Sequence, residues 1–301
     1  MRRGSVRLVK LHESATLSVF AAAVLWGSTG LAAAYAPTVS PLVIGAVAMG
    51  GGGLLQAIVN ARVLLWHRDT LTRSVGVIAF GAVCVAIYPL AFYTSMRVGG
   101  VALGTVVSLA SAPMASAIIE RVLDERALTV RWMIACAVGV VGSAALCMTD
   151  GDGAAASSVP AGVALGLVAG ATYAGYSWAL RRIINRRIPR GAAAGAVLGA
   201  GGVLLTPIAT AGLIVTDSIP ADAWLVLAYL ALVPMFVGYV LFSRGLAGID
   251  ATTATTVTLV EPAVATVLAV LILDEHLGLI GWSGMALLGL ALLILVAPGR
   301  R

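Results

Sequence analysis

The chain has 301 residues, of which 60% are hydrophobic and 11% charged, with 19 basic and 13 acidic side chains. Its mean hydropathy of +1.02 excludes a soluble globular protein, because soluble domains carry roughly a quarter charged residues. The basic residues are scattered among short loops, which argues against a nucleic-acid-binding surface. Cys84, Cys136 and Cys147 all lie in apolar runs, so we expect free thiols and no disulfide or metal site.

Ten apolar runs follow one another along the chain. Each is close to the roughly 20 residues that a helix needs to cross a bilayer. The first run continues through LWGSTG to Tyr35 without a clear small-residue cleavage site, so we expect a retained helix and not a signal peptide. The fold class predicted is an all-α membrane protein with ten transmembrane helices. Their approximate spans are 15–35, 41–61, 74–96, 101–122, 130–149, 161–183, 192–215, 223–243, 252–273 and 278–297.

The distribution of charge predicts how these helices are oriented. If the N-terminus is cytoplasmic, the inner loops and chain ends hold eighteen of the nineteen Lys and Arg residues, and only Arg97 falls outside. This agrees with the positive-inside rule and places both termini in the cytoplasm. The densest basic segment, RRIINRRIPR at 181–190, is interpreted as a solvated loop that fixes topology, in preference to a lipid-binding site.

An internal repeat relates the two halves of the chain. Residues 251–276 repeat the pattern of residues 101–126 at a constant offset of 150, including a shared Leu-Asp-Glu, and Trp132 recurs as Trp282. We therefore divide the chain into repeats 1–150 and 151–301. The segment DGDGAAASSVP at 150–160 joins them and reads as a mobile linker.

The number of helices in each repeat determines how the two repeats face the membrane. Five helices per repeat is an odd number, so the second repeat must enter the membrane from the opposite side. The sequence therefore predicts an inverted repeat, the arrangement in which alternating-access carriers enclose one site near the bilayer midplane.

Four segments resemble the EamA-type family of the drug/metabolite transporter superfamily. They are LWGSTG at 25–30, AFYTSMRVG at 91–99, SAPMASAIIERVLDERALT at 111–129 and LVEPAVATVLAVLILDEHL at 259–277. The resemblance covers nearly the whole chain and implies ten helices in two five-helix repeats. It also implies a secondary transporter that exports a small organic metabolite or amphiphilic drug across the bacterial cytoplasmic membrane.

Within the last of these segments, the resemblance matches Glu261 and Pro262 to a Glu-Pro pair in the ninth helix, and Glu275 to the acid that closes it. The sequence departs from the family in lacking an Arg after Pro41 and in adding Glu120.

Glu261 is the sharpest functional candidate. It lies about ten residues into the ninth run, near the bilayer centre, where an ionised carboxylate costs several kcal/mol unless it is paired, wetted or protonated. One interpretation is a site for a coupling proton or a substrate cation. The other is a protonated structural acid that caps backbone groups freed by Pro262. Glu120, near the cytoplasmic edge, is expected to be a snorkelled or paired interfacial charge.

Aromatic and hydroxyl side chains supply further candidates for substrate binding. Trp26 maps onto Tyr176 at the offset of 150, so the two rings are expected to flank an organic substrate from opposite repeats. Tyr93 is assigned to an interfacial belt. The full candidate set is Trp26, Tyr88, Ser108, Ser111, Tyr173, Tyr176, Thr255, Thr258 and Glu261. The serines and threonines equally fit a role as interhelical hydrogen-bonders.

Prolines inside the apolar runs are candidate hinges, because they interrupt the hydrogen-bond ladder of a helix. They are Pro89, Pro113, Pro234 and Pro262. The four consecutive glycines at 50–53 are expected to let another backbone approach closely.

Other functional classes remain open at this point. An intramembrane enzyme lacks support, because all three histidines lie at helix ends or in loops and a nucleophilic serine needs a buried base. No nucleotide-binding loop of the GxxxxGK[ST] type occurs, which argues against ATP-driven pumping. A channel or a membrane scaffold is the other alternative. We expect no cofactor; the partners are a small-molecule substrate and the lipid bilayer, and a homodimer is left open.

Overall fold

A computed structural model of the chain describes residues 2–99, 101–125, 127–147, 158–215, 219–273 and 278–296. Within those ranges every regular element is helical and no β-strand occurs. The first half contains α1 (Arg2–Gly27), α2 (Thr29–Ala34), α3 (Pro41–Val59), α4 (Ala61–Trp66), α5 (Arg68–Thr72), α6 (Val75–Gly99), α7 (Val101–Leu123) and α8 (Val130–Cys147). The second half contains α9 (Val159–Asn185), α10 (Arg190–Val215), α11 (Ala221–Leu230), α12 (Gly238–Leu246), α13 (Ala251–Val257), α14 (Glu261–Leu273) and α15 (Leu279–Val296).

Eight helical segments of the described chain are long and apolar enough to cross a membrane. Two shorter apolar helices, Val130–Ala145 and Leu279–Leu295, cover the fifth and tenth predicted spans. The chain is therefore an all-helical, multi-pass membrane protein. The eight long segments are Glu13–Ala33, Pro41–Val59, Val75–Gly99, Gly104–Leu123, Val159–Asn185, Arg190–Val215, Ala221–Leu246 and Ala251–Ile272.

Three of the long segments are interrupted. Glu13–Ala33 is interrupted at Ser28, between α1 and α2, and the other two are interrupted at candidate hinge prolines. A π-helical turn, Ala231–Val237, contains Pro234 and separates α11 from α12. A 3₁₀ turn, Thr258–Val260, lies two residues before Pro262 and separates α13 from α14. Proline lacks the backbone N–H and its ring clashes with the carbonyl of the preceding turn, so the ladder is remodelled there.

The other two candidate hinges do not interrupt their helices. Pro89 lies within the continuous helix α6 and Pro113 within the continuous helix α7. A proline in the sequence therefore does not by itself locate a break, because neighbouring helices can accommodate the freed backbone group.

The close contact between α3 and α10 depends on the glycine run at 50–53, as predicted. A methyl group on Gly53 would collide with the carbonyl oxygen of Leu198. On the facing helix, a methyl group on Gly202 would lie 2.7 Å from the carbonyl oxygen of Gly50. Small residues on both surfaces let the two backbones touch, which is how helices associate where lipid provides no hydrophobic driving force.

The basic segment at 181–190 was predicted to be a solvated loop, but arginines within it bond to neighbouring helices or loops. Arg181 Nη1 donates to the carbonyl oxygen of Leu246 at 3.0 Å, and Arg182 forms a 2.7 Å ion pair with Asp124. Trp178 Nε1 donates to the other carboxylate oxygen of Asp124 at 2.9 Å. The segment thus fastens α9 to its neighbours.

Some sequence predictions are only partly covered by the structure. Cys84 and Cys136 are free thiols, whereas the side chain of Cys147 lies outside the part described. Residues 150–157 of the predicted linker, and Glu275 near the end of the ninth run, also lie outside the described ranges.

Candidate functional site

An aromatic cavity lies between helices drawn from both halves of the chain. The first half contributes α1, α2, α3 and α6, and the second contributes α9, the π-helical turn, α12 and α14. Five of the nine candidate residues named from the sequence line it, together with the candidate hinge Pro89. The full lining is Trp26, Thr29, Gly45, Ala48, Met49, Tyr88, Pro89, Phe92, Tyr93, Tyr173, Tyr176, Met235, Tyr239 and Glu261.

The aromatic rings form one continuous cluster. Tyr173 occupies its middle, with its ring centroid 5.6 Å from that of Tyr88, 5.3 Å from that of Tyr176 and 6.3 Å from that of Trp26. The Trp26 ring is also 5.0 Å from that of Tyr239. These separations and tilted or edge-on geometries are those that aromatic pairs favour. The walls are therefore built by mutual packing of rings from both halves.

Polar atoms on one side of the cavity are occupied by protein partners. The hydroxyls of Tyr176 and Tyr239 share a 2.7 Å hydrogen bond, and the Tyr173 hydroxyl donates to Thr258 Oγ1 at 3.0 Å. Trp26 Nε1 donates to the carbonyl oxygen of Pro234, in the π-helical turn, at 2.9 Å. These bonds fix the rings, so this side forms a rigid wall.

Three polar groups of the cavity have no such partner. Within the described residues, the Glu261 carboxylate makes no side-chain hydrogen bond or salt bridge, and the hydroxyls of Tyr88 and Tyr93 make no hydrogen bond. All three side chains are half-buried, and they line the same cavity. Groups that face a shared cavity are positioned to bind whatever enters it.

The position of Glu261 is set by the break between α13 and α14. The 3₁₀ turn ends at Val260, so Glu261 is the first residue of α14. Helix α1 packs closely there, because Gly27 has no side chain: a methyl group on Gly27 would lie 3.0 Å from the Glu261 carbonyl oxygen and 2.7 Å from Val264. The carboxylate is thus held beside the aromatic cluster, near the junction of the two halves.

The cavity is contracted in this conformation. Its free volume is about 30 Å³, which corresponds to roughly one water molecule. Sites for drug-sized ligands measure roughly 300–1,000 Å³. Binding of an organic molecule therefore requires the walls to separate.

Glu120, the candidate acid of the first half, lies outside this cavity. Its placement differs from the predicted snorkelled position. Its side chain is 3% exposed. Oε1 accepts the backbone N–H of Ala251 at 3.0 Å, and Oε2 accepts the Thr252 hydroxyl at 2.6 Å. The carboxylate therefore caps the start of α13 from the neighbouring helix α7, which agrees with the paired alternative.

The four candidate hydroxyl residues do not line the cavity. Ser111 Oγ donates to the Ser108 carbonyl oxygen at 3.2 Å and faces Gly170 of α9. Thr255 Oγ1 donates to Ser116 Oγ at 3.2 Å. Thr258 supports the cavity indirectly through its bond to Tyr173. Thr255 and Thr258 thus bond side chains of other helices, as in their alternative interpretation. The Ser111 bond stays within α7, and Ser108 Oγ has no hydrogen-bond partner within the described residues.

Several lining residues were not among the sequence candidates. Tyr93, expected in an interfacial belt, lies on the cavity wall, and Tyr239 and Phe92 also contribute. The internal repeat contained a usable signal: at the offset of 150, Phe92 corresponds to Phe242, which packs on Trp26 at 5.2 Å. Aromatic residues that recur in both halves would have pointed to this cluster.

The described residues contain no group of three or more His, Cys, Asp or Glu side chains able to hold a metal ion. Among the lining residues Glu261 is the sole ionisable carboxylate, and none is Lys, Arg or His.

Comparison with known proteins places this architecture in a family. Residues 160–297 match the EamA-like transporter family. The chain is 32% identical over 289 residues to the uncharacterized transporter YwfM of Bacillus subtilis (strain 168), covering 95% of each protein. It is also similar to a solved crystal structure of a protein with a TM-score of 0.76 and 20% identity, covering 94% of this chain and 96% of that one. The last likeness concerns the fold alone. By the residues matched and the full-length similarity, this chain belongs to the EamA-like transporter family and is a membrane transporter.

Proposed function

We propose that the chain is a secondary transporter that exports a small organic metabolite or amphiphilic drug by alternating access, with Glu261 as the candidate group for proton coupling. The observation that carries this proposal is an aromatic cavity that is lined by helices of both halves and contains one carboxylate. Carriers of this kind hold substrate near the midplane at the interface of two repeats.

The packing of the helices supports ten spans in two inverted repeats. At the offset of 150, α3 corresponds to α10 and α8 to α15, and both of these corresponding pairs pack against each other. The contact between α6 and α9 likewise corresponds to the contact between α12 and α1. A pseudo-two-fold axis between the halves accounts for all of these pairings. Two equivalent halves can then exchange roles, which is the basis of alternating access.

The two ends of the molecule are closed to different degrees, which supports a conformation sealed on the cytoplasmic side. Cross-element polar contacts concentrate at the end rich in arginine: Glu120 bonds α13 and Asp124 bonds α9. Trp132 Nε1 donates to Thr256 Oγ1 at 2.9 Å at the same end. The cavity residues of α1, α3 and α6 lie toward the opposite ends of their helices. With the N-terminus in the cytoplasm, the cavity opens toward the exterior when its walls separate.

The lack of a described protein partner for the Glu261 carboxylate supports a role in proton coupling. A carboxylate without a protein partner, in an apolar setting, is neutralised most cheaply by taking up a proton or a cationic ligand. A carrier that admits only one of these at a time exchanges them across the membrane. Export driven by the proton gradient is the direction this exchange favours in a bacterium.

Side-specific labelling tests alternating access. Ala48, on the cavity wall and 1% exposed, is replaced by cysteine in a chain whose three native cysteines are replaced by alanine. A membrane-impermeant thiol reagent is then applied to right-side-out and inside-out vesicles. We expect faster labelling from the exterior, and a shift toward the cytoplasmic side when Glu120→Gln weakens the closed end.

Two outcomes of this labelling experiment would contradict the carrier. Equal labelling from both sides together with a continuous ion conductance would identify a channel. Labelling from neither side, with or without Glu120→Gln, would favour a scaffold. Topology is checked separately with reporter tags at both chain ends and in segment 150–160: ten spans and an inverted repeat require the tags at the ends to be cytoplasmic and the central tag to be external.

A further inference from the structure

We infer that the cavity recognises organic cations, specifically quaternary or alkylated ammonium compounds that carry apolar or aromatic substituents. The positive nitrogen would lie against the Glu261 carboxylate, between the rings of Tyr88 and Tyr93. This inference rests on the proposed transport function and narrows its substrate class.

Charge is the first reason. Glu261 is the sole Asp or Glu side chain that lines the cavity, and no Lys, Arg or His is present among the lining residues. The carboxylate also has no protein partner within the described residues. A charge removed from water needs a counter-charge. A ligand that carries one positive charge supplies it, whereas an anion adds a second negative charge to a site that has no compensating group.

The shape and chemistry of the walls are the second reason. The Tyr88 ring stacks on that of Phe92 at 5.7 Å, and Phe92 packs edge-on against Tyr93 at 5.4 Å. All three rings line the cavity. Aromatic faces attract organic ammonium groups through their quadrupole, most strongly where water is excluded. The hydroxyl oxygens of Tyr88 and Tyr93 line the same cavity as the carboxylate and offer electron-rich atoms to the alkyl groups around a positive nitrogen.

The same lining disfavours two other cationic or part-cationic classes. A metal ion requires several oxygen, nitrogen or sulfur ligands, and here one carboxylate stands among apolar and aromatic walls. A zwitterion such as a free amino acid satisfies Glu261 with its ammonium group but leaves its own carboxylate without a positively charged partner. Net positive charge is therefore the property that the site selects.

Adaptable side chains allow ligands of varied size. Met49 and Met235 line the cavity beside the aromatic rings. Methionine is unbranched and polarisable, and it is common at surfaces that accept several partners. Because the empty site is contracted to about 30 Å³, bound ligand must spread these walls. Selection by charge with tolerance in shape is the expected outcome.

Equilibrium binding to the full-length protein purified in detergent tests the inference. The probes are phenethyltrimethylammonium, the betaine N,N,N-trimethylphenylalanine and 3-phenylpropionate, which share a phenylethyl group and differ in charge. The permanent charge of the first two prevents ambiguity from titration of the ligand. We expect the cation to bind about 30-fold or more tightly than the zwitterion or the anion.

Glu261 and the buried Glu120 provide matched variants. Glu261→Gln is expected to abolish the preference for the cation, with Kd values of the three probes converging. Glu120→Gln makes the same chemical change away from the cavity and is expected to keep the ratio of the Kd values, whatever it does to stability. Because a ratio is measured on one folded sample, partial unfolding of a variant does not imitate the result.

Other outcomes would overturn the inference. Tighter binding of the zwitterion or anion, or a preference for the cation that survives Glu261→Gln, would overturn it and leave the carrier proposal standing. If none of the three probes binds, the cation assignment is also overturned. The labelling of Ala48→Cys then decides separately whether the protein is a carrier, so the two failures are distinguishable.

Discussion

The two membrane-embedded glutamates, Glu120 and Glu261, have opposite surroundings. Glu120 is 3% exposed and accepts hydrogen bonds from Ala251 and Thr252 across the α7–α13 interface. Glu261 faces a cavity and has no hydrogen-bond or ion-pair partner within the described chain. An acid whose hydrogen bonds are satisfied within the protein contributes to the fold, whereas one without a protein partner retains its affinity for a ligand.

The difference follows from where each acid meets the next helix. Glu120 of α7 lies at the start of α13, where backbone N–H groups lack intrahelical acceptors. Asp250 caps the same helix by accepting the Thr253 N–H at 2.8 Å, so two carboxylates secure one helix start. Glu261 begins α14, where the preceding 3₁₀ turn continues the helical chain and its side chain projects into the cavity.

Replacing Glu120 has the largest expected effect on stability. Glu120→Ala removes two charge-assisted hydrogen bonds and leaves the start of α13 with an unsatisfied N–H. We expect the free energy of unfolding to fall by about 3 kcal/mol, measured by denaturant titration in mild detergent. A loss below about 0.5 kcal/mol would show that the contact is not structural.

Removing one of the described hydrogen-bond partners of Glu120 is expected to have an intermediate effect. Thr252→Val keeps the shape of the side chain but deletes the 2.6 Å hydrogen bond to the carboxylate, for an expected loss of about 1.5 kcal/mol. Thr253→Val is the matched control on the next residue, whose backbone and not its hydroxyl bonds Asp250. Equal losses from the two variants would indicate a general effect of valine in α13.

Two tyrosine hydroxyls of the cavity differ in the same way: that of Tyr173 is hydrogen-bonded, whereas that of Tyr88 has no described partner. Smaller effects on stability are expected here. Tyr173→Phe deletes the bond to Thr258 and is expected to cost about 1 kcal/mol of stability. Tyr88→Phe deletes a hydroxyl without a described partner and should leave stability within about 0.5 kcal/mol. It should instead weaken binding of phenethyltrimethylammonium severalfold. The reverse ranking would mean that the Tyr88 hydroxyl is structural.

Glu261→Gln has the smallest expected effect on stability, despite its central position. The amide has the same shape and removes an acid that has no described partner, so we expect the free energy of unfolding to be unchanged or slightly higher. The measurement is thermal denaturation of Glu261→Gln and Glu120→Gln under the same conditions. A loss of about 2 kcal/mol or more, the scale of breaking a buried ion pair, would assign Glu261 to the structural role.

Much of the fold was predictable because bilayer thickness fixes the length of apolar runs. All ten predicted spans have an apolar helix in the structure, although two of these helices are short. The repeat offset also drew attention to Trp26 and Tyr176, which line the same cavity. These features depend on composition and spacing, which are properties of the chain itself.

The pairing of polar groups was not predictable in the same way. Glu120 and Ala251 are separated by 131 positions, and Trp26 and Pro234 by 208. Nothing local to Tyr93 says whether its ring faces lipid or the cavity, because depth in the membrane does not fix the face of a helix. Tertiary packing decides whether an acid finds a hydrogen-bond partner. The spacing of residues along the chain does not predict that packing.

Counterflow in proteoliposomes tests the role of Glu261 most directly. Vesicles loaded with unlabelled phenethyltrimethylammonium are diluted into radiolabelled compound, and wild type is compared with Glu261→Gln and Glu120→Gln at equal amounts of folded protein. We predict saturable uptake by wild type, retained uptake by Glu120→Gln and none by Glu261→Gln. Undiminished, saturable uptake by Glu261→Gln would contradict the assignment of the unpaired carboxylate to the transported ligand.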